Sequence, residues 1–168
     1  SSLPVWHLAQ PVMEELVAEI HESCSAAVLD GHEIVYVLRV PANKIMAINL
    51  GTGSRLPAAS TSMGRVLLAG LDDAALQARL ADVPLVAHTA RTVTDRGELL
   101  EVIRQVRRQG WALVNEELEE GLISLAAPIV NRAGRVVAAV NVSGQRNRTP
   151  ASQMIDRLLP RLLATAQR

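Results

Sequence analysis

Ala59-Ser60-Thr61-Ser62-Met63-Gly64-Arg65-Val66-Leu67-Leu68-Ala69 marks the point where the chain passes from strand-like alternation to a helix announced by hydroxyl residues. Ser60, Thr61 and Ser62 can each act as an N-cap, and Met63, Val66, Leu67 and Ala69 then fall on helical spacing. A helix start of this kind presents unpaired backbone N–H groups and the positive end of the helix dipole. It can therefore hold a carboxylate or phosphate without any lysine. Taken alone, the stretch reads as an ordinary capped core helix, and its surroundings must decide.

Upstream, Leu8, Val12, Met13, Leu16, Val17 and Ile20 repeat at helical spacing, so Leu8 to Glu22 is an amphipathic helix whose regular part starts close to Pro11. Glu22 to Asp30 reads as a strand, Asp30-Gly31 as a tight turn, and His32 to Val40 as its hairpin partner. Lys44 to Leu50 makes a third strand, with Ile45 and Ala47 alternating against Met46 and Ile48. Gly51 to Pro57 is a glycine-rich connection that carries the chain to the opening helix; two glycines are too few for a nucleotide fingerprint.

Downstream, Asp72 caps a short helix through Leu80, and Thr94 or Asp95 starts a longer one. There Leu99, Val102, Ile103 and Val106 form the buried stripe and Gly110 the stop. Trp111 to Val114 resumes β structure. The run Glu116-Glu117-Leu118-Glu119-Glu120 reads as a solvated loop before the strand Leu122 to Val130. Asn131 to Gly134 is a turn, Arg135 to Ser143 another strand, and Thr149-Pro150 an N-cap and N1 proline opening a terminal helix interrupted or kinked at Pro160. The order is helix, three strands, three helices, three strands, helix. Short connections imply antiparallel pairing, and the whole reads as an α+β sheet covered on at least one face.

A chain of 168 residues with 49% hydrophobic and 20% charged residues fits one domain with one sizeable core. Seventeen basic residues balance seventeen acidic ones, and only 2% are aromatic. Such a surface has no electrostatic footprint for gripping nucleic acid or an anionic membrane by itself. The single cysteine, Cys24, cannot form an internal disulfide, and neither a signal segment nor a membrane-length apolar run is visible. The expected compartment is the cytoplasm. Ser1-Ser2 reads as a cut edge of a longer protein.

Enzymatic readings find little footing. Ser62-Met63-Gly64-Arg65 has the outline of the S-x-x-K of penicillin-binding enzymes, but Arg65 is too basic to accept a proton, and neither S-D-N nor K-T-G follows. His21 and Cys24, three apart at a helix end, lack a CxxC or HxxxH partner and read as structural rather than metal-binding. Asn141 and Ser143 share one face of their strand, and Ser124 interrupts an apolar run. Buried polar side chains need partners, so these residues face either solvent or a pocket.

Taken together the pieces resemble the effector-binding domain of the IclR-type transcriptional regulators. The resemblance is carried by Ala9-Gln10-Pro11-Val12, Leu29-Asp30-Gly31-His32-Glu33-Ile34-Val35-Tyr36 and Gly53-Ser54-Arg55-Leu56-Pro57. It continues through Thr61 to Ala69, Gly110-Trp111, Glu116-Glu117 with Gly121-Leu122, and Ala138 to Gly144, and covers essentially the whole chain. The helix start and Trp111 to Leu122 look most like the subgroup that regulates aromatic-acid degradation through the protocatechuate and β-ketoadipate route.

The resemblance implies a GAF-like fold with a six-stranded, mainly antiparallel curved sheet and flanking helices. It implies residues 1–168 as one effector-binding domain, with a winged helix-turn-helix DNA-binding domain before Ser1. In the pocket expected here, Ser62, Met63 and Gly64 hold a carboxylate through the backbone amides of the helix start. Ser124, Asn141 and Ser143 offer hydroxyl and amide contacts, and Met46, Ile48, Val114 and Leu122 enclose the carbon skeleton. Val114 and Asn115 stand where many relatives have an acidic residue, and some have cysteine in place of Ser124. A metal is thereby less supported and a benzoate derivative easier to hold. The expectation is a sensing domain for a small aromatic or dicarboxylic acid, not an enzyme, with no cofactor and no metal. Its partners are the effector, further copies in a homodimer or dimer of dimers, and DNA through the missing domain only. The alternatives are a GAF-like enzyme or sensory module on the same carboxylate, or a purely oligomerising domain.

Overall fold

The computed structural model describes residues 3–42 and 51–167. The strand expected at Lys44 to Leu50, with Met46 and Ile48, lies outside the described residues.

Helix α1 (Leu3–Ile20) leads into the hairpin β1 (Ser23–Asp30) and β2 (Glu33–Val40), closed by Gly31 at φ +63°. A short β3 (Arg55–Pro57) pairs with β2, so part of the expected glycine-rich connection is a strand. Then come α2 (Ser62–Ala69), α3 (Asp73–Asp82) and α4 (Arg96–Gln109), with Asp72 and Asp95 as N-caps and Gly110 at φ +85° ending α4. Strands β4 (Ala112–Asn115), β5 (Leu122–Val130) and β6 (Val136–Gln145) follow. The last segment is α5 (Ala151–Gln153), a π-helical turn at Met154–Leu158, and α6 (Leu159–Ala166).

Among the described residues every strand pairing is antiparallel and the strand order is β3-β2-β1-β6-β5-β4. The two halves of the chain meet where β1 pairs with β6. Each face of this curled sheet carries its own core. On one face α2, α3 and α4 pack over Ala27, Ala112, Ala126 and Ala139, small residues that let α2 lie close to the sheet. On the other, α1 and α6 cover Cys24, Ala26, Ile123, Leu125, Val140 and Val142. Every residue of α2 is buried, Arg65 included.

Five expectations are revised. Helix α1 runs well before Pro11, which lies inside it. The ring leaves the His7 carbonyl without its helical donor, and both residues are exposed, so water can replace it. Leu8 is 77% exposed: five residues before Met13, it stands about 140° round the helix from the buried stripe. Thr149 does not cap the last helix; its hydroxyl donates to Glu22 Oε1 at 3.2 Å, and Pro150 holds the cap position. The interruption of that helix is the π turn just ahead of Pro160, whose missing N–H breaks the regular ladder. The acidic run is only partly solvated: the Glu117 side chain is 12% exposed and paired with Arg65.

Candidate functional site

The α2-covered face of the sheet changes from alanine to polar residues just beyond the helix start. Pairing places Ser23, Ser143, Ser124 and Val114 in one cross-strand row, and Ser25, Asn141, Ala126 and Ala112 in the next. Strand periodicity points both rows to the same side. Helix α2 begins above the polar end of this surface and runs over the alanine end.

Thr61 is the N-cap, its Oγ1 accepting from Gly64 N at 3.2 Å. Ser62, the first helical residue, places Oγ 2.6 Å from Ser124 Oγ. Asn141 Nδ2 donates to Ser124 Oγ at 3.1 Å, and Asn141 Oδ1 accepts from Ser25 N at 3.0 Å. Ser23 and Ser143 hydroxyls lie 3.1 Å apart. These polar groups thus hold one another in fixed orientations within a region that Ser62, Ser124 and Asn141 keep at least nine-tenths buried.

Above this floor is a cavity of about 400 Å³. Among the residues anticipated for a pocket, Ser62, Met63, Val114, Leu122, Ser124, Asn141 and Ser143 all line it. Gly64 does not: a Cβ there would lie 2.0 Å from the Ala58 carbonyl oxygen, so its bare face packs on backbone, and its N–H is taken by Thr61. Met46 and Ile48 lie outside the described residues.

Sequence reading missed three lining residues of β2, Ile34 and the polar pair Tyr36 and Arg39. Tyr36 and Arg39 are three apart, so plain alternation would put them on opposite faces. A bulge changes this: Ala27 pairs with Tyr36, Ala26 with Leu38 and Ser25 with Arg39. Val37 is the extra residue, and both side chains come to the cavity. Burial raises the Tyr36 phenol above its ordinary pKa, opposed by the nearby Arg39 charge. Among the described residues, Arg39 has neither a salt bridge nor a hydrogen-bonded partner for its guanidinium, and residues 43–50 contain no carboxylate. Ser60 Oγ, also lining the cavity, is buried and has no hydrogen-bond partner among the described residues. The site therefore has a self-bonded polar floor on one side and, on the other, a phenol beside a cation with no partner among the described residues, with Glu22, Glu119 and Arg148 also on the lining.

Cys24 does not belong to it. It faces the α1 and α6 core, is fully buried, and burial pushes its thiol up to about 12.

A curled antiparallel sheet with helices on both faces, holding a cavity of about 400 Å³ with a polar floor at a helix start, defines a small-molecule-binding domain of GAF-like fold. The family model for the bacterial transcriptional regulator IclR C-terminal domain matches residues 1–168. A Pca regulon regulatory protein of Pseudomonas putida is 42% identical over 168 residues, 99% of this chain and 58% of that protein. A p-hydroxybenzoate hydroxylase transcriptional activator of Acinetobacter baylyi is 36% identical over 171 residues, 99% of this chain and 63% of that protein. Among solved structures, a double mutant of the PobR inducer-binding domain from Acinetobacter, in complex with 3-hydroxybenzoic acid, superposes with a TM-score of 0.89. It is 36% identical and covers 95% of this chain and 94% of that one. The chain belongs to the IclR C-terminal domain family, whose members are transcriptional regulators rather than enzymes. It spans about three-fifths of the length of these curated relatives.

Proposed function

We propose that this chain is the effector-sensing domain of an IclR-type regulator of aromatic-compound catabolism, and that its effector is a small acid with polar groups at both ends, a hydroxybenzoate above all. The carrying observation is the cavity in which Arg39, without a partner among the described residues, lies across from a prearranged polar floor. Arg39 pairs with Ser25, which pairs with Asn141, so the backbones of Arg39 and Asn141 stand two strand spacings apart. That is roughly 10 Å, room for one ring with a substituent at each end.

In this reading the first N–H groups of α2, at Ser62 and Met63, take one oxygen-bearing end of the acid, with Ser124, Asn141 and Ser143 adding hydroxyl and amide contacts. Arg39 and Tyr36 take the other end. Met63, Val114 and Leu122 enclose the ring, and Met46 and Ile48 join them on the strength of the family resemblance. The 3-hydroxybenzoate held by the PobR relative is an acid of this size and kind. The neutral charge of the chain and its three-fifths coverage of its relatives support DNA contact through a separate winged-helix domain, with this domain shifting the arrangement of a cytoplasmic homo-oligomer.

Titration calorimetry with 3- and 4-hydroxybenzoate, protocatechuate and β-ketoadipate tests the proposal. At a hundred times its Kd an effector adds about 2.7 kcal/mol to stability, so a thermal-shift series should agree. Binding of none of these acids overturns the reading, as does their chemical consumption.

A further inference from the structure

In the sequence Arg65 stands where an S-x-x-K enzyme has lysine. Its side chain is 3% exposed and makes three bonds. Nε donates to the Ala59 carbonyl at 2.9 Å, and the guanidinium meets the Glu117 carboxylate as a fork, Nη1 to Oε2 at 2.8 Å and Nη2 to Oε1 at 2.5 Å. Neither Arg65 nor Glu117 lines the cavity, yet each holds a segment that does. Ala59 leads into Ser60, Thr61 and Ser62 on one wall. Glu117 leads into Leu118 and Glu119 on the other.

The Glu117 side is itself tied down. Its carboxylate accepts from Val93 N at 3.3 Å and its carbonyl from Thr92 Oγ1, while the Glu116 carbonyl accepts from Thr89 Oγ1. Glu116 Oε1 accepts from Gly121 N at 2.8 Å, and Glu116 sits at φ +60°, unusual for a residue with a side chain. The 116–121 loop is thus a braced arm. Its direct side-chain link to α2 is the fork of Arg65, which lysine, a single-point donor, cannot reproduce.

We infer that the Arg65–Glu117 pair is the positioning element of the cavity: it sets the separation of the α2 start from the 118–119 wall, and with it the size of acid admitted. This rests on the sensing role proposed above, but its first test does not need a ligand. In Glu117→Gln and Arg65→Lys, hydrogen exchange should quicken at both walls, residues 60–63 and 118–121, while the Leu99–Val106 amides of α4 keep their wild-type rates. Uniform acceleration, or acceleration at one wall alone, overturns the inference.

The second test is selectivity. In wild type, 4-hydroxybenzoate should bind at least tenfold tighter than the longer 4-hydroxycinnamate, and in Glu117→Gln that ratio should fall to within about threefold. A lowered melting temperature with the ratio unchanged means a merely structural pair and overturns the inference. Failure of the wild type to bind either acid counts against the sensing role alone, because the exchange result stands apart from it.

Discussion

Ser62 Oγ, on the first residue of α2, lies 2.6 Å from Ser124 Oγ on β5, and this bond joins the helix start to the sheet floor. Ser124 Oγ also receives Asn141 Nδ2, so one hydroxyl anchors two other polar side chains. Ser124→Ala would leave both without that partner in a buried setting. The expected cost is about 1–3 kcal/mol in urea denaturation, together with weaker effector binding. Unchanged stability would mean that the two groups find other partners.

Arg39→Gln should separate binding from stability. Arg39 has no protein partner among the described residues, so denaturation midpoints should move by no more than about 0.5 kcal/mol. Loss of a charged hydrogen bond to the acid should weaken binding by about 1.5–3 kcal/mol, at least tenfold in Kd. Calorimetry showing unchanged affinity would remove Arg39 from the site.

At Gly64 packing against the β3–α2 connection leaves no room for a methyl group, with Ala58 backbone atoms 2.0 to 2.5 Å from a Cβ. Backbone cannot swing aside as a flexible side chain can. Gly64→Ala should therefore lose at least the upper end of the ~1–3 kcal/mol typical of overpacking, read as a lower melting temperature.

Asp73 should give the acid limb of the stability curve a specific slope. Its carboxylate accepts from Arg104 Nη2 at 2.9 Å and from Gln77 at 2.8 Å, and these bonds, Arg104 first, lower its pKa from 3.8 to about 2. A depressed folded pKa means stability present above about 3.8 and lost as the pH falls toward 2. Asp73→Asn should flatten that part of a pH series of denaturation midpoints relative to wild type. Equal slopes would show that exposure to solvent cancels the α3–α4 contact.

Cys24 should be silent to thiol reagents in the native state, because it is fully buried and its thiol is pushed up to about 12. A disulfide-exchange reagent at pH 8 should label it only as fast as the chain opens, and rapidly in denaturant. Fast native labelling would contradict the packing of β1 against α1 and α6.

Local chemistry made much of this protein legible in its amino-acid order. Asp72 and Asp95 announced their helices because a short side-chain oxygen satisfies a first-turn N–H. Alternation with intervening turns placed β1, β2, β5 and β6, and Ser124, Asn141 and Ser143 stood out as polar interruptions of apolar strands. The family, too, was carried by the order of short motifs. Each of these signals depends on residues a few places apart.

Other features required the chain to close on itself. Arg39 reaches the cavity only because a bulge against Ala26 and Ala27 turns Tyr36 and Arg39 to one face, and strand alternation alone predicts the opposite. Glu117 looked like solvated charge because its partner Arg65 is 52 residues away. Gly64 looked like part of a carboxylate cradle until the cap bond from Thr61 and the backbone of Ala58 accounted for it. Sequence specified which groups could bind or cap, since those are properties of single residues and their neighbours. Tertiary structure decided which of them were already bound, because a hydrogen bond or ion pair between distant segments exists only after the sheet has brought them together.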